Sequence, residues 1–423
     1  MNVRIIAPKT AVETALAEQF GAGASSEREA AFRQFASLGL PTRRVEAWHY
    51  TDLRSVWSIA APLASAPDAA ALSAAKAALA GRKRIGAVRL ALVDGRFITD
   101  LSDAPPPGVI VVNGAGDAPP AIAIAGADAL VALNTALAQG GCAVSVAAGV
   151  ELAGAIEIVH LASPGAAKAV HTRIHLALGA GAKARLVESF AGAEPGHQRT
   201  SSTILDLAAG AKAEHVAIVD DDSGLHIESQ MARLAENAEL SAFALVAGGA
   251  LVRRQIFVTL TGINTSLKLG GLSLLNAERH ADTTLAVEHA APHGTSREFY
   301  KHIVADEATG VYQGKVIVNP GAQKTDGSMK SQAILLSPHA VMNNKPELEI
   351  FADDVVCGHG ATVGALDPDQ TFYLQARGIP KAEAEAMLLE AFGAEAIERF
   401  ASDELADLLA DKMRTWLARR GRA

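Results

Sequence analysis

A four-residue corner, Gly-Ala-Lys-Ala, occurs twice in the middle of this chain in the same setting, and that repetition constrains the fold more than any other feature. HLALGAGAKARLVES carries it at residues 181–184 and LDLAAGAKAEHVAIV carries it at residues 210–213. Weaker copies follow in RLAENAELSAFALV and VTLTGINTSLKLGGL. Each unit reads strand, tight corner, strand, and a spacing of about 25 to 30 residues lies in the range of stacked repeats. A unit so small buries its apolar face only against copies above and below it. Composition agrees: hydrophobic residues make up 49% of the chain but aromatics only 4%. Small side chains, alanine and valine above all, suit tight layers better than a core of large rings. The repeats run from about Ala143 to Val363, and β-type segments begin near Ile85 with AVRLALVDGRFI, which carries an Asp94-Gly95 turn signal, followed by GVIVV. The expected fold class is mainly β, a solenoid of short strands.

Helical spacing flanks this region. Thr10 with Glu13, and Ser26 with Glu29, match the capping-box pattern ahead of the runs Val12, Leu16, Phe20 and Phe32, Phe35. A third helix is expected from Asp68 to Ala80 with Gly81 as its stop. After the solenoid, Asp367 and Pro368 form an N-cap and first-turn pair, with Gly378 behind that helix. A helix containing Met387, Leu388 and Phe392 is expected to stop at Gly393. Ser402 is expected to cap the last one, with Leu405, Leu408, Leu409, Trp416 and Leu417 on one stripe. The expected organisation is thus a helical segment over 1–84, a β core over 85–366 and a helical segment over 367–423. The last segment either caps the solenoid or docks a partner.

Composition excludes several function classes. At 423 residues the chain is long for one domain by the rule of roughly 150 residues each, but elongated β architectures run longer. Its formal net charge of -8 offers no basic face for nucleic acid. Two cysteines, Cys142 and Cys357, make no disulfide framework. MNVRIIAPKT lacks the apolar core of a signal peptide. The most apolar stretch, 108–138, is interrupted by Asn113, Asp117, Pro119, Pro120 and Asp128, short of the ~20 uninterrupted apolar residues of a membrane helix. The expectation is a soluble, cytoplasmic protein.

The chemistry concentrates in KPELEIFADDVVCGHGATVGALD, residues 345–367, where Cys357 precedes His359 by two positions. On an extended backbone such residues share a face. A thiolate beside an imidazole can hold iron or accept sulfur, yet two ligands cannot close a four-ligand site. Any bound ion needs ligands from a second chain or a substrate. Other candidates read as structural. Cys142 sits in an apolar strand and belongs to the core. His280, His289, His293 and His302 lack the helix and glutamate of a zinc protease motif, since Pro292 interrupts them. Asp220, Asp221 and Asp222 read as a solvated turn, and one of Asp353 and Asp354 is expected to serve backbone groups at a corner. No G-x-x-x-x-G-K-[ST] loop occurs, so the chain itself is not expected to bind ATP.

The ordered elements GKVIV, AQKTD, LLS, KPELEIFADDV, CGHGATVG and FYLQARGI, with SREFYKHIVADEATGVYQG upstream, closely resemble the SufB/SufD family of iron–sulfur cluster assembly proteins. The N-terminal EAWHYTDL and the paucity of cysteines resemble its SufD branch. Two positions depart from the usual pattern: Gln332 through Ile334 precede the LLS run, and Gly358 stands where serine is common. The resemblance implies a right-handed parallel β-helix flanked by helical segments, acting as a non-catalytic scaffold of the SUF system. It implies pairing with a SufB paralogue through the last strands and binding of the SufC ATPase through the C-terminal helices. Phe372, Tyr373, Arg377, Met387 and Phe392 are the candidate docking residues. No cofactor is expected to stay bound to the chain alone; iron or a nascent iron–sulfur cluster is expected to be held transiently at the seam by His359, with Cys357, and shared with SufB. An isolated chain is expected to form a homodimer. A β-helix carbohydrate-active enzyme and a purely structural, self-associating solenoid are the alternative readings.

Overall fold

The computed structural model describes residues 9–21, 24–114, 119, 122–126 and 128–420. The first eight residues of the N-terminal signal-peptide reading, and Asp117 and Pro120 of the apolar stretch, lie outside them. Two sheets, of ten and nine strands, face each other along a parallel solenoid of about eight turns. From Gly140–Val146 onward, successive strands alternate between the sheets. In the nine-stranded sheet Leu251 lies beside His280, and His280 beside Thr309. In the ten-stranded sheet Ser266 lies beside Thr295, and Thr295 beside Asp326. The only antiparallel pairings among the described strands are at the start, Val88–Val93 with Arg96–Phe97 and Val109–Asn113 with Gly140–Val146. The Gly-Ala-Lys-Ala segments are the corners expected of them. Gly181 and Gly210 both take φ +68, in the left-handed region that glycine tolerates, and Gly210 donates its N–H to Glu236 O at 2.8 Å.

Inward-facing residues of both sheets, such as Leu176, Leu205, Ile256, Leu285, Leu186 and Leu240, form one continuous core. Beside it runs a buried polar seam. Glu188 receives bonds from His160 and His215, 2.9 Å each, and from Thr203 at 2.8 Å. Arg254 donates twice to Glu228, at 3.0 and 2.9 Å. Burial alone would raise the Glu188 carboxyl, but the two histidines outweigh it and hold it well below the usual range.

The helical flanks lie on the outer faces of the two sheets. At the N-terminus, the Thr10 capping box forms as read, while the second helix, Ser26–Leu38, takes Ser25 rather than Ser26 as its cap. The EAWHYTDL segment clamps this region to the nine-stranded sheet. The Arg253 guanidinium lies 4.1 Å from the ring centroid of buried Trp48, donates to Ala47 O at 2.7 Å and pairs with Asp282. Thr51 donates to the same carboxylate. The apolar stretch contains a helix that the sequence reading did not assign, Ala129–Leu137, buried at every position and capped by Asp128. No described helix is long and apolar enough to cross a membrane.

The C-terminal helices are Pro368–Gln375, Lys381–Phe400 and Asp403–Arg420. They do not cap the solenoid end. Lys381–Phe400 packs across the ten-stranded sheet, where Phe400 stacks on Phe299 with ring centroids 6.4 Å apart. Gly393 is not a stop. It sits inside this helix, where a Cβ would meet Met413 Sδ at 2.4 Å and Leu272 Cδ2 at 3.2 Å, so glycine serves close helix–helix and helix–sheet packing. The stripe of the last helix is buried at Leu405, Leu409, Met413 and Trp416, and Ser402 Oγ makes no capping bond.

Candidate functional site

Among the described residues, the last rung of the solenoid has no strand on its outer side. Its strands are Val341–Ile350 and Val356–Gly364, half-buried and exposed respectively. Val341, Ile350, Phe351, Val356 and Val363 leave large apolar surface open there. This is an unpaired sheet edge of the kind that proteins ordinarily blunt with charge or cover with another chain.

Cys357 and His359 lie on this edge. Register places Cys357 above Gly327 and His359 above Met329, and Met329 faces the interior. Alternation along the strand therefore turns both residues toward the solenoid axis, as their spacing predicts, with Cα atoms about 7 Å apart. Cys357 is half-buried against the core, and a Cβ placed on Gly327 would sit 3.5 Å from both Cys357 Sγ and Ser296 Oγ. His359 is exposed. Burial pushes the Cys357 thiol up, opposed by a backbone hydrogen bond with Gly327, so the lone chain holds it protonated near neutral pH. Among the described residues no three His, Cys, Asp or Glu side chains are grouped to hold a metal ion. The pair offers one sulfur and one imidazole donor, too few to close a four-ligand site.

Beneath this rung lie buried polar groups that sequence reasoning did not single out. Glu298 shares a register file with Met329 and His359. Among the described residues its carboxyl oxygens have no well-formed hydrogen-bond partner, and burial, only partly offset by nearby Ser296, pushes it up to about 8. Tyr300 and Tyr312 pack beside each other with ring centroids 4.9 Å apart and unpartnered hydroxyls. Ser331 donates to Asn344 Oδ1 at 2.6 Å across the lumen. The available signal was the inward period of Ser296, Glu298, Tyr300 and His302, which places a carboxyl on the core face.

Other sequence candidates fall as follows. Cys142 is fully buried, and burial pushes its thiol far above the usual range. His289 and His302 are buried and His280 bonds Thr51 at 2.9 Å, so none joins a metal cluster. The Asp220–Asp222 segment is not simply solvated: Asp221 is buried against Arg199, and Asp220 pairs with Lys412 of the last helix. Asp354 pairs its carboxylate with Lys324, while Asp353 stays exposed. Of the candidate docking residues, Phe372, Tyr373 and Met387 are exposed, and Arg377 lies 3.5 Å over the Tyr373 ring. Tyr373 and Leu388 share a shallow hollow of about 380 Å3. Phe392 is not part of that surface. It packs toward the sheet with Lys301 Nζ 4.0 Å from its ring centroid.

Comparison with known proteins adds an independent finding. Residues 160–392 match the family model for the SUF system FeS cluster assembly SufBD core domain, and residues 10–113 match that for the SufBD protein N-terminal region. The chain is 32% identical over 404 residues to the iron–sulfur cluster assembly protein SufD of Escherichia coli, covering 92% of each. It is 27% identical over 398 residues to a SufBD family iron–sulfur cluster assembly protein of Synechocystis, covering 88% of this chain and 87% of that one. A chloroplastic protein of Arabidopsis thaliana, ABCI7, is 32% identical over 239 residues, 56% of this chain and 50% of its own length.

Proposed function

Because this chain belongs to the SufBD family of SUF-system iron–sulfur cluster assembly proteins and is SufD-like, we propose that it is a non-catalytic scaffold subunit whose open last rung is completed by a cysteine-rich SufB-type paralogue. In this reading strands Val341–Ile350 and Val356–Gly364 meet the paralogue's terminal strands edge to edge. His359, with Cys357 beside it, contributes ligands to iron or to a nascent cluster, which is the cargo of the assembly and departs from it. The paralogue supplies the missing thiolate or carboxylate ligands. The observation that carries the reading is the exposed apolar edge presenting a Cys-x-His pair toward the axis, with too few ligands to close a site.

A SufC-type ATPase docks on the exposed face made by Phe372, Tyr373, Arg377 and Met387. The sequence has no phosphate-binding loop of its own, so nucleotide energy enters through that partner. Association of two ATPase copies draws on the C-terminal helices of both scaffold subunits. Lys381–Phe400 relays the pull to the ten-stranded sheet through the Phe400–Phe299 stack and the Lys301–Glu395 ion pair. The seam opens, and Cys357 and His359 become accessible to iron or sulfur. Without the paralogue, the same edge pairs with a second copy as a homodimer.

The test is co-purification with the paralogue and the ATPase, then anaerobic reconstitution followed by visible absorption. His359→Ala is expected to leave the complex intact and to abolish the iron–sulfur absorption. Undiminished cluster formation by that variant rejects the site.

A further inference from the structure

On the outer face of the ten-stranded sheet, next to the last rung, lies an open groove of about 610 Å3. Its floor is the Phe299 and Phe400 ring pair, and its walls carry Lys268, Arg297, Lys330 and Arg399. Register explains how four cations converge. Lys268 lies beside Arg297, Arg297 beside Ser328 and Ser328 beside Gly358, in one outward file that ends at the solenoid edge. A second file runs Phe299, Lys330, Gly360. Arg399 arrives from the C-terminal helix, its guanidinium 4.4 Å from the Phe299 ring centroid.

Like charges on neighbouring rungs, about 4.8 Å apart, repel one another. Asp326 partly neutralises Arg297, and Glu395 pairs with Arg399. Neither Lys268 nor Lys330 comes within salt-bridge distance of a carboxylate among the described residues; Lys330 feels Glu395 only through space and lies 5.8 Å from the Phe299 ring centroid. The one carboxyl group among the lining residues, Glu298, is turned into the core. In a chain of formal net charge -8, four cations gathered around two neighbouring carboxylates leave this face locally positive, which packing alone does not require. The groove is open at the edge, where its lip is the backbone of Gly358 and Gly360; a Cβ at either would meet nothing within 4 Å. That geometry suits an extended polypeptide laid along a strand edge.

We propose that this groove receives an acidic, extended segment of the paralogous subunit, whose carboxylates reach Lys268 and Lys330 while its backbone continues along Val356–Gly364. The inference rests on the reading of that strand as a seam. The acidic segment fixes the register of the seam through paired charges, and the apolar floor excludes water from those pairs.

Affinity for the purified SufB-type paralogue, measured by titration calorimetry between roughly 50 and 300 mM salt, tests it. The double variant Lys268→Glu/Lys330→Glu is expected to lose about ten-fold in affinity at low salt and to show a flattened salt dependence. A second variant, Val356→Lys/Val363→Lys, places charge on the exposed edge without touching the groove. If it loses binding while the groove variant matches wild type in affinity and salt slope, the groove inference is overturned and the seam reading stands. If both variants bind as wild type, both fall.

Discussion

The middle and the last turn of this solenoid are built on one plan and behave as opposites. Leu225–Leu234 is buried at every position but Arg233, with a neighbouring strand on each side. There a charged side chain survives inside only because it is paired, as Arg254 is with Glu228. Val356–Gly364 has a neighbour on one side, and all its residues but Cys357 are exposed. Two coils beneath it lie Glu298 and Tyr300, with Tyr312 in the facing sheet, and their buried oxygens are unpartnered, as are His226 Nε2 and Gln230 Nε2 in the middle strand. The difference teaches that a repeat architecture leaves backbone pairing and apolar cover unfinished where the repeat stops. Interior coils pair both strand edges with their neighbours; the last coil leaves one edge unpaired among the described residues.

The largest effect is expected from unpairing the interior. Arg254→Ala strands Glu228 as a lone buried charge and is expected to cost about 3–5 kcal/mol in urea unfolding. Lys324→Ala removes an ion pair at the exposed end, with Asp354, and is expected to leave the urea midpoint indistinguishable from wild type. Comparable losses at the two sites would erase the contrast.

Acid should act on the interior next. Burial holds His171 and His289 down at about 4 and His302 at about 3. The unfolded chain therefore takes up protons that the folded chain refuses. The stability these residues contribute is full above the ordinary histidine value near 6.5 and is lost as pH falls toward 4 and 3. His302→Phe is expected to shallow the decline of the urea midpoint between pH 7 and pH 4; an unchanged slope would show that His302 has no part in it.

Glu298 should show the opposite sign. Its folded carboxyl keeps a proton up to about 8, whereas the unfolded one releases it near 4.5. Stability is therefore lost as pH rises between those values, and Glu298→Gln should abolish that loss. The variant's advantage over wild type is expected to be absent at pH 4.5 and to grow toward pH 8. A constant advantage at all pH values would indicate a packing effect. Smallest among the packing changes, Gly393→Ala presses on the flexible Met413 side chain and on Leu272, and is expected to cost about 1–3 kcal/mol while loosening the C-terminal helices from the sheet.

Much of the fold was legible because its signals are local and repeated. The corners at Gly181 and Gly210 announce themselves, and a Cys-x-His on a strand shares a face wherever the strand lies. The helix Ala129–Leu137 escaped because it is buried all round and so shows no polar stripe. Gly393 was misread because glycine ends helices more often than it serves close packing within them, and only the tertiary neighbours Met413 and Leu272 distinguish the two. The groove could not be read from sequence at all. Lys268, Arg297 and Lys330 belong to three successive coils and Arg399 to a helix, so only the register brings them together.

The account turns on the last rung being an edge that another subunit completes, and amide hydrogen exchange measures that directly. The chain is followed at a concentration where it is monomeric, then with saturating paralogue. The expected result is rapid exchange in Val356–Gly364 for the lone chain, strong protection on adding the paralogue, and slow exchange in Leu225–Leu234 throughout. Protection of Val356–Gly364 that is already complete in the monomer, or that does not change when the paralogue binds, contradicts it.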